Sequence, residues 1–251
     1  MIVATIQARM SSSRLPGKVL KEIDGTPMIG LQISRLRRSL FIDEILVATS
    51  NNANDDPLAE YCVSQGVKTY RGSEDDVLAR VAKSVSSFQG GIHVECFGDS
   101  PLIDSEIIDF AIERFRKKRL GNQVVTNTLK TTFPPGMETS VYSVKSLLAL
   151  NEAVEPTDPL REHVGMNFSR FPNLFKVDNF TAPVSLEQHN LFLEVDEYPD
   201  LEVVRQIFTH FSQEGAGLNF SLGDIIQYAE KNPGLFRVND KIARRWAKFR
   251  N

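Results

Sequence analysis

Short apolar runs alternate along this chain with longer stretches in which apolar residues recur every three or four positions. Ile2–Ile6 reads as a buried strand, and Met28–Leu40 follows as a helix with Ile29, Ile33, Leu36 and Leu40 on one face. Glu44–Ala48 is the next strand, and Asp56–Gln65 a helix with Pro57 in its first turn. Val67–Tyr70 (strand), Glu74–Ser86 (helix), Ile92–Phe97 (strand), Asp104–Lys117 (helix) and Val124–Asn127 (strand) continue the rhythm. The helix over 104–117 aligns Ile108, Ala111, Ile112 and Phe115. Such β-α alternation predicts an α/β fold with a mostly parallel sheet covered by helices on both faces. Right-handed crossovers then place the loops after each strand along one sheet edge, where open α/β sheets bind ligands.

The second half is less regular. Met137–Tyr142, Phe175–Val177 and Leu191–Val195 read as strands. Val144–Glu152, Leu160–Ser169 and Pro199–Phe211 read as helices. Glu214-Gly215-Ala216-Gly217 suggests a hinge into a C-terminal extension, with Ser221 as a cap for the helix that follows. From Asp240 to Asn251 there are five basic residues and one acid, with Ile242, Trp246 and Phe249 at helical spacing. Such a stripe is expected to dock onto the parent domain or onto a sister subunit in a homodimer rather than onto a ligand.

Composition narrows the function. Hydrophobic residues make up 41% of 251, enough for a sizeable core, and the formal charge is −3. A net-acidic chain is a poor generic nucleic-acid binder, so any phosphate binding must come from a local basic cluster. The two cysteines, Cys62 and Cys96, are too far apart for a metal or disulfide framework. Met1–Gln7 is apolar but too short for a signal peptide or a membrane span, so a soluble, cytoplasmic enzyme is expected.

That basic cluster follows the first strand. Ala8-Arg9-Met10-Ser11-Ser12-Ser13-Arg14-Leu15-Pro16-Gly17-Lys18 carries three cations, three hydroxyls and no acid. A triphosphate carries about four negative charges, which such a loop is suited to receive; a solvated basic turn is the bland alternative. A Walker A loop is excluded, because Ser12 stands where its first glycine belongs and Val19 where Ser or Thr is required. No G-x-G-x-x-G occurs here either.

The string IQARMSSSRLPGKVL resembles the spore-coat polysaccharide F-type cytidylyltransferase family, which is related to the sugar-acid cytidylyltransferases that make CMP-activated KDO and sialic acids. Further strings match in order: Asp43–Thr49, Asn54–Pro57, Tyr70–Arg80, Gly98–Asp104, Thr126–Thr128, Thr157–Pro159, Arg161–Val164, Val195-Asp196 and Asp200. The resemblance runs to about residue 212. It implies a nucleotide-diphospho-sugar transferase-like, Rossmann-like three-layer fold, with a nucleotidyltransferase domain over 1–213 and a C-terminal helical extension over 214–251. It also implies transfer of CMP from CTP to a sugar or sugar acid, for surface polysaccharide or glycoconjugate synthesis.

Roles follow from the same resemblance. Arg9, Arg14 and Lys18 would hold the β- and γ-phosphates, with Ala8, Ser11, Ser12 and Ser13 completing the cradle. Arg71, Gly72 and the segment from Ser73 through Asp76 would lie near cytosine and ribose. Asp99 and Asp196 would hold Mg²⁺, and Arg9, Lys18, Asp99 and Asp196 would form the catalytic set. Mg²⁺ does favour one or two carboxylates with phosphate oxygens and water, although an isolated Asp is as readily a cap or turn residue. Glu138, Arg161, Glu162 and His163 are the acceptor-side candidates. His163 reads equally as a group that orients or deprotonates an acceptor hydroxyl and as a helix-surface or core histidine.

The acceptor side departs from the family pattern. Its V-R-x-T-G-D reads Val94-Glu95-Cys96-Phe97-Gly98-Asp99 here, and its R-G-L-D-V-E reads Pro135-Gly136-Met137-Glu138-Thr139-Ser140. The lost arginines point to a different acceptor sugar. Two other classes remain open on sequence: a nucleotide- or sugar-binding protein with weakened or no catalysis, and a glycosyltransferase. The latter usually carries a D-x-D motif, and none occurs here.

Overall fold

The computed structural model describes residues 1–88, 90–118, 122–187 and 190–244. β1 (Ile2–Gln7) runs through its centre. Ile2, Ala4 and Ile6 join one apolar core and Val3 another, because successive strand side chains point to opposite faces. A short hairpin, β2 (Glu22–Ile23) and β3 (Thr26–Pro27), leads into α1 (Met28–Leu36). Alternation continues with β4 (Glu44–Ser50), α2 (Asp56–Ser64), β5 (Lys68–Gly72), α3 (Val77–Ser84), β6 (Ile92–Phe97) and α4 (Ser105–Lys118). Then come β7 (Gln123–Thr126), β8 (Ser140–Ser143), α5 (Val144–Ala153) and β9 (Lys176–Asn179). α6 (Tyr198–Gln213), α7 (Leu222–Lys231) and α8 (Pro233–Phe236) close the described chain.

Hairpin aside, the described strands form one seven-stranded sheet in the order β5-β4-β1-β6-β8-β7-β9. Neighbours are parallel except at β8, which runs antiparallel to β6 and β7. One face is covered by α1, α2, α4, α6 and α7, the other by α3 and α5. The expected three-layer α/β architecture is therefore present. β4 and β5 step outward on one side of β1, and β6 returns on the other. Strand order reverses at β1, which opens a crevice at the carboxyl ends of β1 and β6.

Several expected elements differ. α1 ends at Leu36 rather than 40, and Leu40 is 84% exposed instead of sharing its apolar face. The helix expected from Glu74 begins at Val77, because the Asp76 side chain accepts the Ala79 N–H as a cap. Leu160–Ser169 is not one helix but two 3₁₀ segments, Pro159–Glu162 and Gly165–Arg170, broken at His163 where the backbone is non-helical. The strand expected from Met137 starts at Ser140, after a turn in which Gly136 has φ 102°. Leu191–Val195 joins no ladder and bends at Glu194. Its N–H groups at Leu193 and Val195 donate instead to the carbonyls of Pro135 and Asp99, both at 2.8 Å.

Past α6 the chain turns through Gly215 and Gly217, both at positive φ. Phe220, Leu222, Ile225, Ile226 and Phe236 then enter the same core as α1 and α6. Buried Arg35 of α1 donates to the carbonyls of Ile103, Leu218 and Phe220 and lies over the Phe220 ring. Ser221 caps α7 with a reciprocal bond from Asp224. Trp246 and Phe249 of the apolar stripe lie outside the described residues. No described helix is long and apolar enough to cross a membrane.

Candidate active site

The Arg- and Ser-rich loop leaves β1 at the carboxyl edge of the sheet. Ala8 is buried and extends the ladder by donating to Ala48 O. Gly98, at the end of β6, lies directly against it: a Cβ there would sit 2.8 Å from Gln7 O and 2.9 Å from the Ala8 methyl. The glycine thus brings the loop after β6 beside the loop after β1. Asp55 anchors the basic loop from the neighbouring strand connection. Its carboxylate accepts from Met10 N–H (2.7 Å), Thr49 Oγ1 and Ser50. Burial works against this charge, but the hydrogen bonds outweigh it and hold Asp55 below its ordinary pKa. Gly17 turns the chain at φ 68°, and Lys18 follows it into a short 3₁₀ segment aimed at the crevice.

Each cation of the loop meets a carboxylate. Lys18 Nζ lies 3.3 Å from Asp196 Oδ1 and 3.8 Å from Asp99 Oδ2, and donates to Val195 O at 2.6 Å. Arg14 takes the other Asp196 oxygen at 2.5 Å and reaches Glu197 at 3.7 Å. Arg9 reaches Glu162 at 3.4 Å and the Glu74 carbonyl. Ser11 donates to the Glu74 carboxylate, and Ser12 Oγ accepts from Leu15 N–H. Ser11 and Ser13 face solvent. Asp99 and Asp196, nearly a hundred residues apart, thus converge on one ammonium, and Val195 N–H donates to Asp99 O to fix their backbones together. Burial in the crevice raises the Asp99 pKa; Lys18 opposes the rise and Asp196 adds to it.

A basic loop after the first strand and two carboxylates converging on its lysine are the arrangement on which the family match bears. The model of the cytidylyltransferase family matches residues 3–232. The chain belongs to the cytidylyltransferase family. It is 28% identical to the spore coat polysaccharide biosynthesis protein SpsF of Bacillus subtilis over 92% of this chain and 95% of that one. It superposes on a cytidylyltransferase from Leptospira borgpetersenii with a TM-score of 0.85, at 29% identity, covering 97% of this chain and 99% of the other. A CMP-2-keto-3-deoxy-manno-octonic acid synthetase solved with CTP shares the fold: TM-score 0.61, 18% identity, 83% of this chain and 98% of the other.

Beside Asp99, this cytidylyltransferase has a cleft of about 300 Å³ between the ends of β1 and β6 and the 162–166 loop. Glu138, Glu162 and His163 line it; Arg161 does not. That guanidinium is buried between α3 and α5, donating to Asp76 (2.9 Å), the Val154 carbonyl (2.7 Å) and Asn151 Oδ1 (2.6 Å). Asp76 is therefore engaged by Arg161 and by its own cap. Arg71 braces the turn after β4, donating to the Ser50 and Asn52 carbonyls and to Asp56. Gly72 is buried beneath Arg80, and Ser73 Oγ accepts from Asp76 N–H. The 71–76 segment lies on the same sheet edge as Lys18, but these side chains are not gathered around Asp99.

Two features, Glu95 and Arg244, were not singled out from sequence as parts of the site, and a third, Glu74, was expected only as part of the 73–76 segment near cytosine and ribose. Glu95 forms part of the cleft floor, fully buried, accepting from Gln7 Nε2 (2.8 Å), Tyr142 OH (3.2 Å) and Gly165 N–H (3.3 Å). Burial pushes it up to about 7 against those hydrogen bonds. Glu74 knits Arg9, Ser11 and Asn52 together. Arg244, from the basic tail, is buried against Asp200 (2.7 Å) and Glu194 (3.4 Å). Asp200 in turn accepts the N–H groups of Asp196 and Glu197 at 2.9 and 2.8 Å. The loop that carries Asp196 is thereby held from behind. Of these, the match at Asp200 was the only advance signal for the brace.

Proposed function

We propose that this protein transfers a cytidylyl group from CTP to a hydroxyl of a sugar acceptor and releases pyrophosphate. The observation that carries the reading is the convergence of Asp99 and Asp196 on Lys18, with the cation-rich loop on one side and the cleft on the other. In this scheme Arg9, Arg14 and Lys18 exchange their carboxylate partners for the triphosphate, a trade of like for like that costs little charge reorganisation. Exposed Ser11 and Ser13 and the loop N–H groups add donors.

The donor set of Asp99 and Asp196 fits Mg²⁺, which takes one or two carboxylates and fills its remaining positions with phosphate oxygens and water. Bound there, the ion would neutralise charge at the reacting phosphates. The acceptor oxygen bonds to the α-phosphorus as the bond to the β-phosphate oxygen breaks. Lys18 and Arg14 stabilise the departing pyrophosphate, and His163 on the cleft wall orients the acceptor hydroxyl and takes its proton. Positioning and charge neutralisation supply the acceleration. The product would be an activated sugar for polysaccharide or glycoconjugate assembly, in keeping with the name of the Bacillus relative.

Pyrophosphate release from CTP with Mg²⁺ and a panel of sugars tests this. Lys18→Ala and Asp99→Asn should each lower turnover by orders of magnitude while circular dichroism stays that of the wild type. Near-wild-type turnover in both variants would sink the assignment.

A further inference from the structure

The loop that carries Asp196 is placed by a buried cluster whose other half comes from the chain after α8. Asp200 is fully buried, and both of its oxygens are used. One accepts the N–H groups of Asp196 (2.9 Å) and Glu197 (2.8 Å). The other accepts Asn239 Nδ2 (2.8 Å) and Arg244 Nη2 (2.7 Å). Asn239 also donates to Phe192 O at 3.1 Å. The Arg244 guanidinium lies 4.6 Å from the centre of the Phe192 ring and pairs with Glu194 at 3.4 Å. Asn239 and Arg244 thus grip the 192–197 segment at its start and, through Asp200, at its end. The carbonyl next to Arg244, Ala243 O, accepts from Arg14 at 3.2 Å, and Arg14 is itself paired with Asp196. Residues 239–244 therefore touch both the Asp196 loop and the basic loop after β1. They lie past residue 232, where the match to the family model stops.

Stability alone does not account for such a cluster. A buried ion pair contributes little once desolvation is counted, and apolar residues of the same volume often pack as well or better. Apolar packing cannot supply a fixed acceptor for two successive backbone N–H groups. We infer that Arg244, with Asn239, is a positioning residue for Asp196: it holds the Asp200 carboxylate in the orientation that aims the Asp196 oxygens at Lys18, Arg14 and the metal ion of the nucleotide. Ligating carboxylates depend on outer partners of this kind for their orientation. The inference rests on the nucleotidyltransferase reading. It makes the segment after α8 part of the active site.

Calorimetric binding of CTP at stepped Mg²⁺ concentrations tests it, at a temperature where circular dichroism shows each variant folded. Arg244→Ala should raise the Mg²⁺ concentration for half-maximal CTP binding by about 10–100-fold, the range for losing an outer support of a metal ligand. Asn239→Ala, which leaves the ion pair in place, should raise it several-fold and serves alone if Arg244→Ala does not fold. Ile225→Ala removes buried apolar volume from α7 and none of these hydrogen bonds, so it should lower stability and leave the Mg²⁺ dependence unchanged. An unchanged Mg²⁺ dependence in folded Arg244→Ala or in Asn239→Ala, or an equal rise in Ile225→Ala, overturns the inference. Absence of CTP binding to the wild type at every Mg²⁺ concentration overturns instead the reading on which it rests.

Discussion

The two sides of Asp99 share one sheet edge but carry opposite charge. On one side the loop after β1 supplies Arg9, Arg14 and Lys18; on the other, the cleft presents carboxyl groups and no described Lys or Arg. At rest the two sides partly neutralise each other, through Arg9 with Glu162 and Lys18 with Asp99. The difference sets two charge environments side by side on one edge: cations for which a polyanion can compete, and carboxyl groups that pair with them at rest. On the proposed function it also separates phosphate binding from acceptor binding. Changes on the cationic side should stop the reaction, and changes on the acidic side should redirect it.

Breaking the cationic side gives the largest expected effect. Lys18→Ala, which leaves Asp99 and Asp196 facing each other without their shared ammonium, should lower kcat/KM by about 10²–10³ in a pyrophosphate-release assay. Next comes the brace behind the second carboxylate. Arg244→Ala leaves buried Asp200 without its cation and should cost ~3–5 kcal/mol in urea denaturation, the range for removing one partner of a buried pair. Nucleotide affinity should fall with it, because Asp200 holds the backbone N–H groups of Asp196 and Glu197.

The acidic side sharpens the comparison through pH. Burial raises Glu95 from its ordinary 4.5 to about 7, so the folded protein keeps a proton that the unfolded chain releases. Its contribution to stability is complete below about 4.5 and is lost as pH rises through about 7. Buried His93 titrates with the opposite sign: its pKa falls to about 3, so its contribution is lost as pH drops below 6.5. The difference between Glu95→Gln and the wild type isolates Glu95. It should shift in favour of the variant by up to ~3 kcal/mol between pH 4.5 and 8, read by denaturation at each pH. A pH-independent difference would place Glu95 outside a buried environment. The smallest effect is expected far from both sides. Lys68 pairs with Glu44 at the surface, and Lys68→Ala should change stability by less than ~0.5 kcal/mol and leave turnover unaltered.

The first half of the fold was legible because most strands there are short, largely apolar runs between amphipathic helices, and β1, β4, β6 and the more polar β5 fall close to where the pattern puts them. In the second half α5, α6 and β9 also fall near their expected bounds, but the segments around 137, 160–169 and 191–195 do not, because their backbone is satisfied outside ladders and α-helices. Leu191–Val195 looks like a strand but bonds singly to Pro135 and Asp99, and a Cβ at Gly136 would lie within 2.9 Å of the Leu193-Glu194 backbone, so the two loops interlock. In the site, the cationic loop and its carboxylate pair carry motif strings and could be named in advance. Arg161 carried such a string too, yet its guanidinium is consumed between α3 and α5. Glu95 registered only as a lost arginine. Its role as a buried, fixed acceptor depends on Gln7, Tyr142 and Gly165, which are distant in sequence and meet only in the fold.

The division into a polyanion side and an acid-lined side is tested most directly by thermal shift of the wild type and Lys18→Ala with CTP, ATP, GTP and UTP, each with Mg²⁺. Ligand that binds the native state raises its apparent stability. The wild type should be stabilised selectively by CTP, and Lys18→Ala should lose most of that shift. Equal shifts with all four nucleotides, or an undiminished CTP shift in Lys18→Ala, would contradict it.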